Sequence, residues 1–229
     1  MNRIRLFTTK TFTINFCKLF SGTRNITRAK DYRAKISHKM PDMSKKTRLA
    51  FWIVSHCETD NKREDYAKKL QEYMPVDIYG KCGPLNCSQG INGYLSLAPI
   101  YKFYLAFENS NCYDYFTEKF TRTLGQNVVP IVMGGADYKA FAPEMSFIDT
   151  LKGTRDPKDL TELLIFLDEN DDKYLEYFEW IHKTAFYKRN HFCQLCHKLN
   201  NVPSLFKKTY TNITDWWLHD NKNQKVCDV

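Results

Sequence analysis

The sequence predicts an α/β fold, a single domain built on a parallel sheet. Three observations carry this. Short runs of β-branched and aromatic residues alternate with segments whose apolar residues recur at helical spacing, a pattern that implies parallel strands joined by crossovers. Glycine, proline and polar clusters separate the segments. The stretch Tyr101 to Lys119 (YKFYLAFENSNCYDYFTEK) reads as a strand, a polar loop and a helix start, the order in which an open α/β sheet presents its ligand-binding end.

Residues 1 to about 47 stand apart. Met1 to Lys30 contains no acidic residue and mixes Arg, Lys, Thr, Ser and Phe. That composition resembles an organellar transit peptide, and a disordered basic leader is the preferred reading. Pro41, Asp42, Ser44 and the lysines that follow read as a linker. Arg48 to His56 (RLAFWIVSH) is a buried strand, followed by a polar loop from Cys57. Arg63 to Tyr73 carries Tyr66, Leu70 and Tyr73 on one helical face, and Pro75 ends it. Val76 to Tyr79 is a second strand, closed by Gly80 and Gly83. Pro84 to Gly93 reads as a loop.

Tyr101 to Phe107 is the third strand. Glu108 to Asp114 is loop, and from Tyr115 onward Phe116, Phe120 and Leu124 recur at helical spacing. Val128 to Met133 is a fourth strand in which Pro130 suggests a bend or an edge position. Ala136 to Pro143 is a short helical turn with loop, and Ser146 to Asp149 a last short strand. Asp156-Pro157 is an N-cap with proline at the first helical position, followed by Leu160, Leu163, Leu164 and Leu167 on one face. Asp171 opens a further helix with Tyr174, Tyr177, Phe178 and Ile181 buried. Trp216-Trp217 packs a final short helix. The expected organisation is a basic leader over 1–47, a Rossmann-like domain over 48–200 and a tail over 201–229.

The bulk numbers exclude some classes. A length of 229 residues with 43% hydrophobic content suits one packed domain. No apolar run reaches the ~18 residues of a membrane-spanning helix. The formal charge of +8 suits any polyanion, but the excess sits in the leader, which weakens a nucleic-acid reading. Eight cysteines leave disulfides, free thiols and metal open. His191, Cys193, Cys196 and His197 have zinc-compatible spacing, yet form one knuckle only. Asn25-Ile26-Thr27, Asn86-Cys87-Ser88 and Asn212-Ile213-Thr214 match the N-glycosylation pattern.

By physics alone, the Tyr101–Lys119 unit is an anion or nucleotide site: a helix N-terminus offers N–H groups to a phosphate, and Lys119 in the first turn adds a mobile cation. The string YKFYLAFENS followed by DYFTEK resembles the donor-site signature of glycosyltransferase family 10, the α1,3/1,4-fucosyltransferases. The resemblance covers about Arg48 to Asn200. It implies a fold corresponding to the carboxyl-terminal half of a GT-B enzyme, GDP-fucose as donor, a glycoprotein glycan as acceptor, and the Golgi lumen or membrane as location. Nucleic acid is not an implied partner, and no cofactor or divalent metal is implied. A diphosphate leaving group can be neutralised by fixed cations and N–H groups.

The resemblance also assigns site residues. Arg63 and Lys119 would meet the diphosphate. Glu118 would bind hydroxyls or stabilise cationic character at the fucose carbon, and it is the one candidate catalytic residue. Asn109, Ser110, Tyr115 and Thr117 would contact ribose, phosphate or fucose, Glu108 belongs to the same donor-binding set, Tyr104 would stack near guanine or ribose, and Val54 and Ser55 would contact the nucleotide by backbone. The family's general base lies in an acceptor-binding lobe for which no segment here has a counterpart, nor is its amino-terminal anchor seen. The expectation is poor turnover by the chain as given, with a non-catalytic GDP-sugar-binding remnant as the alternative. By the same resemblance the Cys193–Cys196 pair reads as a disulfide remnant in preference to zinc.

Overall fold

The computed structural model describes residues 34–36, 40–88, 91–124, 126–151, 156–183, 186–188, 211–214 and 227–228, with backbone alone for 34–36, 186–188 and 227–228. The leader Met1 to Lys30, the Cys193–Cys196 knuckle, the Asn25 triplet and the Trp216-Trp217 helix lie outside these residues. The chain forms two compact units, Met1–Ser37 with Ala185–Trp217 and His38–Thr184 with Leu218–Val229. In the first, β1 (Ala34–Ile36) pairs antiparallel with β8 (Phe186–Lys188).

The second unit holds the sheet. Its elements in order are β2 (Arg48–Ile53), α1 (Arg63–Tyr73), β3 (Val76–Tyr79), α2 (Ile91–Leu97), β4 (Tyr101–Phe107), β5 (Asn111–Cys112), α3 (Glu118–Thr123), β6 (Val129–Met133), β7 (Ile148–Asp149), α4 (Pro157–Glu169), α5 (Asp171–Glu176) and α6 (Trp180–Lys183). Five strands pair in parallel in the order β3-β2-β4-β6-β7. The chain leaves β2 to one side for β3 and returns on the other side as β4. The crevice between the carboxyl ends of β2 and β4 is therefore the topological switch point, where open α/β sheets bind ligands.

The sheet is covered on both faces, which explains why β4 and β6 are buried along their whole length. One face packs Trp52, Phe103, Leu105 and Ile131 against Ala67 and Leu70 of α1 and against Leu160, Leu164 and Leu167 of α4. The other packs Phe51, Tyr104, Ala106 and Val132 against Tyr94 of α2 and Phe120 of α3. Each fully buried leucine contributes at most about 1.5–3 kcal/mol. The α4 start is as the sequence predicts: the Asp156 carboxylate accepts from Lys158 N at 2.7 Å, with Pro157 at the first turn.

Three elements differ from expectation. Helix α2 was not anticipated, because Gly93 and a near-alternating INGYLSL run mask a helix of only seven residues. Helix α3 begins at Glu118, not Tyr115, because the Thr117 side chain caps it. Pro130 lies in an interior strand. It is accommodated because β7 is two residues long and pairs only with Ile131 and Val132, so that among the described residues Pro130 has no partner strand on that side. β5 pairs with β9 (Cys227–Asp228), tying the loop after β4 to the end of the chain.

The segment read as linker contains a working residue. The Lys46 ammonium donates to the carbonyls of Ala98 at 2.8 Å, Tyr101 at 2.6 Å and Asn127, at the end of the sheet remote from the crevice. Burial, then repulsion from Lys102, pulls its pKa down to about 7. The unfolded chain therefore binds this proton more tightly than the folded chain from pH 7 up to the ordinary lysine range. Stability contributed here rises with pH through that window. Urea denaturation between about pH 7 and pH 9.5 is expected to show this rise, and Lys46→Met to flatten it while lowering stability throughout. Among the described residues, no helix is long and apolar enough to cross a membrane.

Candidate functional site

Two loops face each other across the crevice, one after β2 and one after β4, and two side chains from the first hold the second. Arg63, the first residue of α1, donates from Nη1 to the Phe107 carbonyl at 2.7 Å and from Nη2 to the His56 carbonyl at 3.0 Å. Its guanidinium lies over the Trp52 ring at 5.5 Å. Asn61 Nδ2 donates to the Glu108 carbonyl at 2.9 Å and to Asn111 Oδ1 at 3.0 Å. Asn61 is held in turn by Thr59, whose hydroxyl bonds both Asn61 and Glu64 at 2.8 Å. The ends of β2 and β4 are thus fixed at a set separation.

Arg63 is only 2% exposed. Among the described residues its Nε has no hydrogen-bond partner. Burial draws its pKa down from the ordinary value, and the nearby Glu108 carboxylate works against that. The sequence led us to expect a guanidinium facing a diphosphate; the structure places it beneath the crevice as a strut between two carbonyls.

Glu108, the residue after β4, is 0% exposed. Its Oε1 accepts from Thr117 N at 2.7 Å and Thr117 Oγ1 at 2.9 Å, and its Oε2 from Thr117 Oγ1 at 2.9 Å and Lys119 Nζ at 3.1 Å. Lys119 Nζ also donates to Thr117 Oγ1 at 2.9 Å. Lys119 keeps 24% of its side chain in solvent. Two of the amides at the start of α3 are already engaged, Thr117 N on Glu108 and Lys119 N on Thr117 Oγ1 at 3.5 Å. The Lys119 side chain is a partly exposed cation on the β4 side of the crevice, and Lys62, just before Arg63 on the β2 loop, is exposed.

Around it lie the partly exposed Asn109, Ser110, Tyr115, Thr117 and Glu118, with Ser55 exposed on the β2 side. Tyr115 donates its hydroxyl to Asn109 Oδ1 at 2.8 Å. Burial, then Glu108 and Glu118, raises the Tyr115 pKa, so the phenol keeps its proton. Val54 is buried, and its backbone is already paired: its N–H donates to Tyr79 O at 2.9 Å, and its carbonyl accepts from Cys82 N at 3.3 Å. Tyr104 is 4% exposed, its ring 4.8 Å from Phe51 and 5.0 Å from Tyr94. The expected stacking on a base gives way to core packing, as is usual for an inward strand aromatic.

The β2 loop is stapled by a disulfide, Cys57–Cys82, across 25 residues. Cys112, on the β4 loop, is also disulfide-bonded, and Cys87 is a free thiol. The spacing left disulfides and thiols open; the fold brings Cys57 and Cys82 together by pairing β2 with β3. Closing a loop of this length stabilises by about 3 kcal/mol. Changing both cysteines to serine is expected to lower the Tm by roughly 6–12 °C, read by calorimetry. A third constraint is Gly135, where a Cβ would stand 2.6 Å from the carbonyl oxygens of Asn111 and Cys112. Only glycine lets the turn after β6 approach the β4 loop so closely.

Sequence reasoning missed Asn61, Thr59 and Gly135. The polar run Thr59-Asp60-Asn61 after a strand was a usable signal for the first two; Gly135 acts by being small and leaves no chemical trace. A cavity of about 320 Å³ also lies between Pro143–Met145 and α5–α6. Glu144, Glu176 and Glu179 line it against a single cation, Lys183, so it repels a diphosphate.

Comparison with known proteins bears on the crevice. The model of glycosyltransferase family 10 (fucosyltransferase), carboxyl-terminal part, matches residues 43–216. The chain is 42% identical over 195 residues to the glycoprotein 3-alpha-L-fucosyltransferase A of Drosophila melanogaster, covering 81% of this chain and 39% of that protein. It is 41% identical over 184 residues to the alpha-(1,3)-fucosyltransferase C of the same fly, covering 79% and 43%. A crystal structure of an α1,3-fucosyltransferase with GDP-fucose superposes with a TM-score of 0.57 at 20% identity, over 73% of this chain and 50% of that one. That likeness establishes the fold, one half of a GT-B architecture. The chain spans about two-fifths of the length of the curated relatives it matches.

Proposed function

This chain belongs to glycosyltransferase family 10, the fucosyltransferases, and from that premise we propose that it is the donor-binding lobe of an α1,3-fucosyltransferase. It binds GDP-fucose in the crevice between β2 and β4, for transfer of L-fucose with inversion to a GlcNAc of a glycoprotein glycan. The observation that carries this reading is Lys119. Its ammonium is anchored from below by Glu108 and Thr117 and is partly open to solvent at the switch point.

In this reading, Lys119 neutralises charge that builds on the departing diphosphate, an interaction that strengthens towards the transition state. Thr117, Ser110 and Asn109 contact phosphate or ribose, and Ser55 closes the β2 side. Glu118, partly exposed beside Lys119, is the candidate for stabilising positive charge on the fucose carbon. Tyr115 and Asn109 brace each other and present one polar edge. Arg63, Glu108, Tyr104 and Val54 act beneath the ligand by fixing the loops. The base that deprotonates the acceptor hydroxyl is assigned to none of the described residues.

The Golgi lumen is the proposed location, with membrane association as in the rest of the family. The Cys57–Cys82 pair supports an oxidising compartment. Calorimetric titration with GDP, GDP-fucose and UDP tests donor recognition: guanine nucleotides are expected to bind and UDP to bind at least tenfold more weakly. Equal binding of UDP, or none of GDP, overturns the donor site. Fucose transfer to an N-glycopeptide by the complete catalytic unit, this lobe joined to an acceptor-binding half, tests the catalytic reading, which is withdrawn if that unit binds GDP without transfer.

A further inference from the structure

We propose that Glu108 is a positioning residue that sets where the Lys119 ammonium meets the donor's diphosphate, without touching the donor itself; the proposal rests on the donor-site reading above. A carboxylate directly under a diphosphate site is unfavourable by charge alone. An anion placed near another anion weakens its binding unless the first performs some other task. The structure shows the task. Glu108 has no exposed surface, and both oxygens are occupied by Thr117 and Lys119.

Lysine on its own is a poor locator: a flexible stem carries a point charge with three donors. Here two of the three N–H bonds point inward, one to Glu108 Oε2 at 3.1 Å and one to Thr117 Oγ1 at 2.9 Å. Thr117 is itself fixed, because Glu108 receives both its amide and its hydroxyl. The third N–H is left for a ligand on the solvent side, where the side chain is 24% exposed. The Glu108 backbone is pinned as well, its carbonyl by Asn61 and its amide by the Met133 carbonyl at 2.9 Å. Arg63 reaches the preceding carbonyl. The trio Arg63, Glu108 and Lys119 carries one net positive charge: the buried carboxylate pairs directly with Lys119 and feels the buried Arg63 guanidinium nearby, and the ammonium keeps its remaining donor for the solvent side.

Two effects oppose each other when Glu108→Gln is made. Removing the negative charge strengthens the field on the diphosphate. Losing the anchor releases the ammonium into many rotamers, whose freezing on binding is costly. Positioning predicts that the second wins. GDP affinity is expected to fall about tenfold in the variant, while guanosine, which has no phosphate, binds as before. A general collapse of the loop weakens both ligands and overturns the proposal, as does tighter GDP binding. Competitive labelling of lysines with an acylating reagent, read by mass spectrometry, stands independently of any nucleotide. Lys119 is expected to react several-fold faster in the variant than in the wild type, with other lysines unchanged. An unchanged Lys119 rate overturns the proposal, whereas a wild type that binds no GDP overturns only the donor-site reading.

Discussion

Replacing Lys119 by methionine is expected to weaken GDP binding by roughly 10- to 100-fold while leaving guanosine binding unchanged. A hydrogen bond to a charged group contributes about 1.5–3 kcal/mol, and each 1.4 kcal/mol is tenfold in affinity. Methionine keeps the unbranched stem and removes the charge. The effect on fucose transfer by the complete catalytic unit should be larger, about 10²- to 10³-fold, because the leaving diphosphate carries more charge in the transition state than in the ground state. The variant also leaves Glu108 buried with one cation fewer. Some loss of stability is therefore expected, and the guanosine control separates that loss from the loss of the phosphate contact. Equal loss of GDP and guanosine binding would mean that Lys119 acts only by holding the loop.

The second large effect is at Arg63. Arg63→Ala is expected to cost about 3–5 kcal/mol of stability, the range for breaking a buried charged network by removing one partner. Two carbonyls, His56 and Phe107, lose their donor. The Trp52 ring loses the cation over its face, and Glu108 loses its buried counter-charge. For a chain of this size the Tm should fall by roughly 6–20 °C. Arg63→Lys is not expected to rescue it, because one ammonium cannot reproduce the forked reach to two carbonyls. The result also separates two roles. A strut predicts that stability falls along with ligand affinity. A direct phosphate contact predicts an unchanged Tm with a selective loss of GDP over guanosine.

Much of this architecture can be read in the chain. The apolar run Tyr101–Phe107 and the polar residues after it name the central strand and its loop, because a doubly covered parallel strand is apolar throughout. The Asp156-Pro157 start and its leucine stripe fix α4 without ambiguity. Sequence supplied candidate residues for the site but not their depths. Periodicity does not tell whether an arginine at the start of a helix points to solvent or under a neighbouring loop. That depends on the distance between β2 and β4, which pairing determines. Arg63 and Glu108 therefore read as ligand contacts and turn out to lie beneath the surface. Helix α2 was lost for a local reason, a glycine in a seven-residue element. Pro130 misled because the rule against proline in a central strand assumes full-length neighbours, and β7 is too short to be one.

The most direct test is where GDP sits. A crystal structure of the chain with GDP is expected to place the diphosphate between the loops after β2 and β4, within hydrogen-bond reach of Lys119 Nζ, with Glu108 still buried under Thr117. GDP bound elsewhere on the chain, or in this crevice with Lys119 turned away from the phosphates, would contradict the account.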